Sequence, residues 1–158
     1  MLSMAFLTAC PGQPTSRDHN DATPPVLTMS IAGTEQNPGG LDDVAFGSTT
    51  ALSTSGAKIL IKAADDHGVS FVELWLTEKK VCEGVIVGPG LAGAPAARTV
   101  GNVTPTEAPS TLTAVFRIES TNHQRDCTYT FEVWGHAQNA ADAPVSVKSP
   151  TTFMTMQM

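Results

Sequence analysis

Apolar and polar side chains alternate along most of the chain in short runs. The clearest run is "VSFVELWLTE", residues 69–78. At a period of two, Val72, Leu74 and Leu76 share one face, and Phe71, Glu73, Trp75 and Thr77 share the other. "CTYTFEVWGHAQN", residues 127–139, repeats the pattern. Tyr129, Phe131 and Val133 lie on one side, and Thr130, Glu132, Trp134 and His136 on the other. "VLTMSIAG", "AKILIKAAD", "TLTAVFRIES" and "VSVKSPTTFMTM" read as further strands, the last as one continuous strand. Turn clusters separate them: "DDHG", "TNHQRD" and "AADAP". Glu78-Lys79-Lys80 reads as a turn into "VCEGVIVG", and residues 88–110, rich in Gly, Pro and Ala, read as a long loop. No segment carries a helical period. Short strands with regular turn signals predict an all-β sandwich.

The totals narrow the partners. The chain has 158 residues, of which 15% are charged, with a net charge of −6. An acidic chain of this kind offers no basic patch for a phosphate backbone, so nucleic acid is not an expected partner. Its side chains do not favour anionic lipid either. No stretch approaches the roughly 18 apolar residues of a membrane span.

The opening "MLSMAFLTAC" is apolar or small up to a cysteine. Leu7-Thr8-Ala9-Cys10 resembles the lipobox of bacterial lipoproteins. The resemblance implies a signal peptide over 1–9, cleavage before Cys10 and diacylation of its sulfur. Two acyl chains anchor stably where one is marginal. The basic region that should precede the apolar core is missing, which predicts further sequence upstream of Met1. "PGQPTSRDHNDATPP" has four prolines and almost no apolar side chains, so 10–24 is expected to be the lipidated cysteine and a disordered tether ahead of a domain over 25–158. The expected location is the bacterial cell envelope, lipid-anchored, at the outer membrane and periplasm or at the cell surface. Lipidation of Cys10 removes one of the three cysteines. Export to an oxidising compartment then allows Cys82 and Cys127 to pair.

The domain itself resembles immunoglobulin-like and fibronectin type III modules. "TPPVLTMSIAG" opens like many bacterial examples, "ADDHGVSFVELWL" is similar to their second-to-third strand passage, and "YTFEVWGHAQN" to their sixth strand. The resemblance implies an immunoglobulin-like β-sandwich of about seven to nine antiparallel strands, with Tyr129 as the corner tyrosine. It also implies that the third and sixth strands are neighbours, which brings Cys82, just past the end of the third, near Cys127 at the start of the sixth. The stretches 33–56 and 88–110 exceed a minimal module.

With the apolar faces inward, Phe71, Glu73, Trp75, Glu132, Trp134 and His136 form one outer face that holds both tryptophans of the chain. Such a patch is a candidate binding face for a protein or a sugar. The alternative is that the extra segments fold over it. The four histidines, His19, His67, His123 and His136, show no metal-ligand spacing and are expected at the surface. "DHNDATPP" resembles a cadherin linker, but the acidic pattern of a calcium site is incomplete. The paired aspartates Asp42-Asp43 and Asp65-Asp66 read as turn formers. No nucleophile–base pair, metal motif or phosphate loop is present, so no cofactor or metal and no catalysis is expected. The chain reads as a monomeric, non-catalytic binding or structural module. The alternative is an accessory subunit or inhibitor that docks on another envelope protein, with a hydrolase a more distant third.

Overall fold

A computed structural model of the chain describes residues 12–87 and 93–158. The strands are β1 (Pro14–Ser16), β2 (Val26–Ala32), β3 (Leu41–Val44), β4 (Thr49–Ala51), β5 (Gly56–Ala64), β6 (Val69–Cys82), β7 (Val85–Val87), β8 (Ala97–Val100), β9 (Glu107–Pro109), β10 (Thr111–Glu119), β11 (Cys127–Asn139), β12 (Ser146–Lys148) and β13 (Thr152–Gln157). One turn of 3-10 helix, Ser120–Asn122, joins β10 to the β11 approach.

The strands form three sheets. One runs β10-β5-β2-β3. A larger one runs β4-β13-β11-β6-β7, with β12 beside β11 and β8 beside β6. A small one pairs β1 with β9. Pairing is antiparallel throughout except for β13 with β4.

Alternation explains the burial. Along β11, Cys127, Tyr129, Phe131, Val133, Ala137 and Asn139 are all buried. Met29 and Ile31 of β2, Ile59, Ile61 and Ala63 of β5, and Leu112 and Ala114 of β10 meet them from the other sheet in one core. The two sheets approach so closely at Gly135 that an added Cβ there would lie 2.9 Å from Ile61 Cγ2. In β6 the register against β11 shifts next to Val69, and this bulge lets both Val69 and Val72 point inward.

Several expectations are corrected. Glu78, Lys79 and Lys80 lie inside β6, which continues to Cys82. The turn comes at Glu83-Gly84, where both residues have positive φ, 47° and 77°, as a two-residue hairpin of the I′ kind requires. The long loop read over 88–110 contains β8 and β9, and the stretch 33–56 contains β3 and β4. These are short pieces whose strand character comes from the neighbour they pair with and not from propensity. The final strand breaks in two at Ser149-Pro150-Thr151.

The tether expected over 10–24 does not hold for the part described. The Gly12 N–H donates to Thr111 O at 3.0 Å, β1 pairs with β9, and the Arg17 N–H donates to Thr106 O at 2.9 Å. The Arg17 side chain donates to Ala140 O at 2.5 Å and to Asp142 Oδ1 at 2.6 Å. Asn139, fully buried, donates from Nδ2 to Asp21 O and Thr23 O at 3.1 and 2.9 Å. Its Oδ1 accepts from the Val145 N–H at 2.9 Å. A segment with almost no apolar side chains is therefore held by backbone pairing, the Arg17 guanidinium and one buried amide.

Candidate functional site

The candidate face lies on the outer side of the larger sheet. Trp75 of β6 and Trp134 of β11 stand directly opposite each other in the register. Their rings stack with centroids 5.8 Å apart and planes 9° from parallel. Lys148 of β12 places its ammonium 5.0 Å from the Trp134 ring centroid. Trp134 is thus flanked by an indole and by a cation, and both tryptophans are half-buried.

Glu73 organises the neighbouring part. Its side chain is 8% exposed, although it points to the outer face. Oε2 accepts from Trp75 Nε1 at 3.1 Å and from His136 Nδ1 at 3.0 Å. Oε1 lies 3.2 Å from Arg98 Nη1. An ionised carboxylate can only accept, so the proton of the His136 ring sits on Nδ1. Burial by itself would raise the Glu73 carboxyl. The bonds from His136 and Trp75 and the Arg98 charge outweigh it and hold the carboxyl below its ordinary value. Phe71 completes the group, with His136 edge-on at 5.2 Å and the Arg98 guanidinium 4.7 Å from its ring centroid.

The structure thus brings together Phe71, Glu73, Trp75, Trp134 and His136. Glu132 lies on the same face, exposed and opposite Thr77 and Phe153, but no hydrogen bond or ion pair joins it to the group around Glu73. Among the described residues, the extra stretch 93–110 meets the face from the side, through β8. β8 pairs with β6, and β12, part of the expected last strand, pairs with β11; Arg98 and Lys148 reach over the aromatic rings from there. Exposed apolar side chains continue the patch at Val100 and Phe153, 66% and 42% exposed. Arg98 and Lys148 had no signal in the sequence, because their place depends on which edge each short strand pairs with.

At one end of the same two strands, Cys82 and Cys127 are directly paired in the register and form a disulfide, with Cα atoms 4.4 Å apart. Cys82 is the last residue of β6, not a residue beyond a turn. Cys10 lies outside the described residues. Next to the disulfide, the Tyr129 hydroxyl accepts from the Gln124 N–H at 2.7 Å. His123, expected at the surface, is instead 6% exposed in its side chain. Its ring packs edge-on against Tyr129 and Phe131, and Nδ1 lies 2.8 Å from Glu119 O.

The paired aspartates serve turns and cross-strand bonds. Asp42 accepts from Thr34 at 2.6 Å and Asn37 at 2.8 Å, Asp43 from Ser30 at 2.8 Å, and Asp65 from the His67 N–H at 2.8 Å. Among the described residues, no group of three or more His, Cys, Asp or Glu side chains is placed to hold a metal ion. No helix among them is long and apolar enough to cross a membrane.

No protein-family model matches this chain, and neither a curated protein nor a solved structure matches it. The chain is an all-β protein of several antiparallel sheets closed by one disulfide.

Proposed function

We propose that this chain is a bacterial envelope lipoprotein, anchored through Cys10, whose domain is an immunoglobulin-like, non-catalytic module that binds another envelope protein through the Trp75/Trp134 face. The observation that carries the anchor is the Cys82–Cys127 disulfide. It consumes two of the three cysteines, requires an oxidising compartment, and leaves Cys10 in its Leu-Thr-Ala-Cys setting. The strand order supports the immunoglobulin-like reading. β2, β5 and β10 share one sheet as A, B and E do, while β6, β11 and the β12–β13 pair share the other as C, F and G do. The Tyr129 hydroxyl, bonded to the backbone five residues upstream, is the kind of bond a corner tyrosine makes.

The stacking favours a protein over a sugar. A sugar ring needs a free indole face, and Trp134 is stacked on Trp75 with the Lys148 ammonium 5.0 Å from its ring centroid. Half-buried aromatics with a charged rim instead match the anchors of protein interfaces.

The test is affinity purification of the protein expressed with its upstream sequence, together with its intact mass. The expected mass lacks everything before Cys10, carries acyl chains and gains two hydrogens on reduction. The expected co-purifying partner is stoichiometric and is lost, by roughly 30-fold or more in affinity, in Trp134→Ala. An unlipidated mass that retains Met1 refutes the anchor. Undiminished partner binding by Trp134→Ala, or binding to an oligosaccharide in its place, refutes the protein-docking face.

A further inference from the structure

We infer that the domain sits on its anchor with almost no free linker, so that whatever docks on it must be reached within a membrane-proximal layer. The inference rests on the lipid-anchor reading of Cys10. Covalent reach alone puts Cys10 within about 7 Å of Gly12. Gly12 is already part of the fold. Its N–H is bonded to Thr111 O, and an added Cβ would fall 2.0 Å from Thr111 Oγ1. From there the chain is held at each step to Thr23. The Ser110 N–H donates to Gln13 O at 3.1 Å, the Thr15 hydroxyl donates to Asp66 O at 2.7 Å, and Arg17 and Asn139 close the strap as described.

The strap also decides which end is anchored. Thr111 opposes Ala64 at the end of β5, one turn before β6 begins at Val69. The β5–β6 turn and the strap therefore form the end nearest the lipid, and the disulfide forms the far end. At about 3.4 Å per residue, Trp75 lies roughly 20 Å along β6 from the anchored end and Cys82 roughly 44 Å. A free chain over 11–24 would add up to about 48 Å of reach when fully extended. With the strap docked that reach is absent. The partner of the aromatic face must then present its surface a few nanometres from the bilayer, as a protein of the same membrane does. The anchored end exposes Asp66, and its Arg17 is engaged by Asp142, so it offers no basic patch to an anionic headgroup layer. The leash sets the position, not adhesion.

Arg17 supplies the test, because it is the sole lysine or arginine before Lys58. Lipidated protein is reconstituted into vesicles of phosphatidylethanolamine and phosphatidylglycerol and exposed to trypsin under native conditions. A free tether is cut after Arg17 and sheds a domain that begins at Asp18. A docked strap is not, and the expected release is at least tenfold slower than from Gly12→Val, in which the clash with Thr111 undocks the strap. Hydrogen exchange of the lipid-free domain gives a second readout, with the Gly12 and Arg17 amides expected to be protected. A chain that never floats with the vesicles overturns the anchor, and the leash with it. A chain that floats but sheds its domain as fast as Gly12→Val, with those amides unprotected, overturns the leash alone.

Discussion

Glu73→Gln tests the organisation of the candidate face most directly. In the native protein the Glu73 carboxylate accepts from Trp75 Nε1 and His136 Nδ1 and faces the half-exposed Arg98 guanidinium. Hydrogen bonds to a charged partner are worth about 1.5–3 kcal/mol each, while an ion pair to an exposed partner adds under about 1 kcal/mol. Gln with its oxygen at the Oε2 position keeps the contacts to Trp75 and His136 as weaker neutral bonds and turns its NH₂ group toward the Arg98 guanidinium. Weakening of two charge-assisted bonds to neutral ones, at about 1 kcal/mol each, together with loss of the Arg98 pair and offset in part by relief of the buried charge, leaves a net cost of about 2 kcal/mol. Urea unfolding followed by tryptophan fluorescence reads it, since both indoles lie here. The midpoint should fall by about 1 M at a typical m-value for a small protein. The sign with pH follows from the direction of the shift. A carboxyl held below its ordinary value contributes its full stability above that ordinary value and loses it as pH falls through the folded value. The stability curves of the native protein and Glu73→Gln should therefore converge as pH falls through the carboxylate range. An unchanged midpoint at neutral pH, or a gap that persists undiminished into acid, would refute the account of Glu73 as the charged centre of the face.

Two further outcomes are expected. Replacing both Cys82 and Cys127 with Ala opens a loop of 45 residues. In the chain-entropy model this costs about 4 kcal/mol, read as a lower midpoint that reductant no longer changes. Tyr129→Phe removes the acceptor of the Gln124 N–H and should cost about 1–2 kcal/mol by calorimetry, and an unchanged Tm would show that the bond does not hold the β10–β11 connection.

The sequence by itself determined the long strands and their faces. In β5, β6, β10 and β11 the alternation is unbroken over most of their length, so one face must bury, and a one-residue slip would expose Tyr129, Phe131 and Val133 together. Its alternation also placed Phe71 and Trp75 on the outer face of one strand and Trp134 and His136 on that of another, while the resemblance to immunoglobulin-like modules made those strands neighbours and put Cys82 near Cys127. Tertiary structure decided the rest, for reasons of range. A strand as short as β8 or β12 gains its pairing energy from the edge it meets, so Arg98 and Lys148 reach the aromatic rings through contacts that local propensity does not encode. Glu73 is polar by type and outward by parity, yet buried, because three donors from three strands converge on it. Residues 12–25 have almost no apolar side chains and carry no burial signal. They are ordered by the backbone of β9, more than ninety positions away in the chain, and by Asn139, more than a hundred positions from the Asp21 and Thr23 carbonyls it bonds, and no local reading of composition contains those contacts.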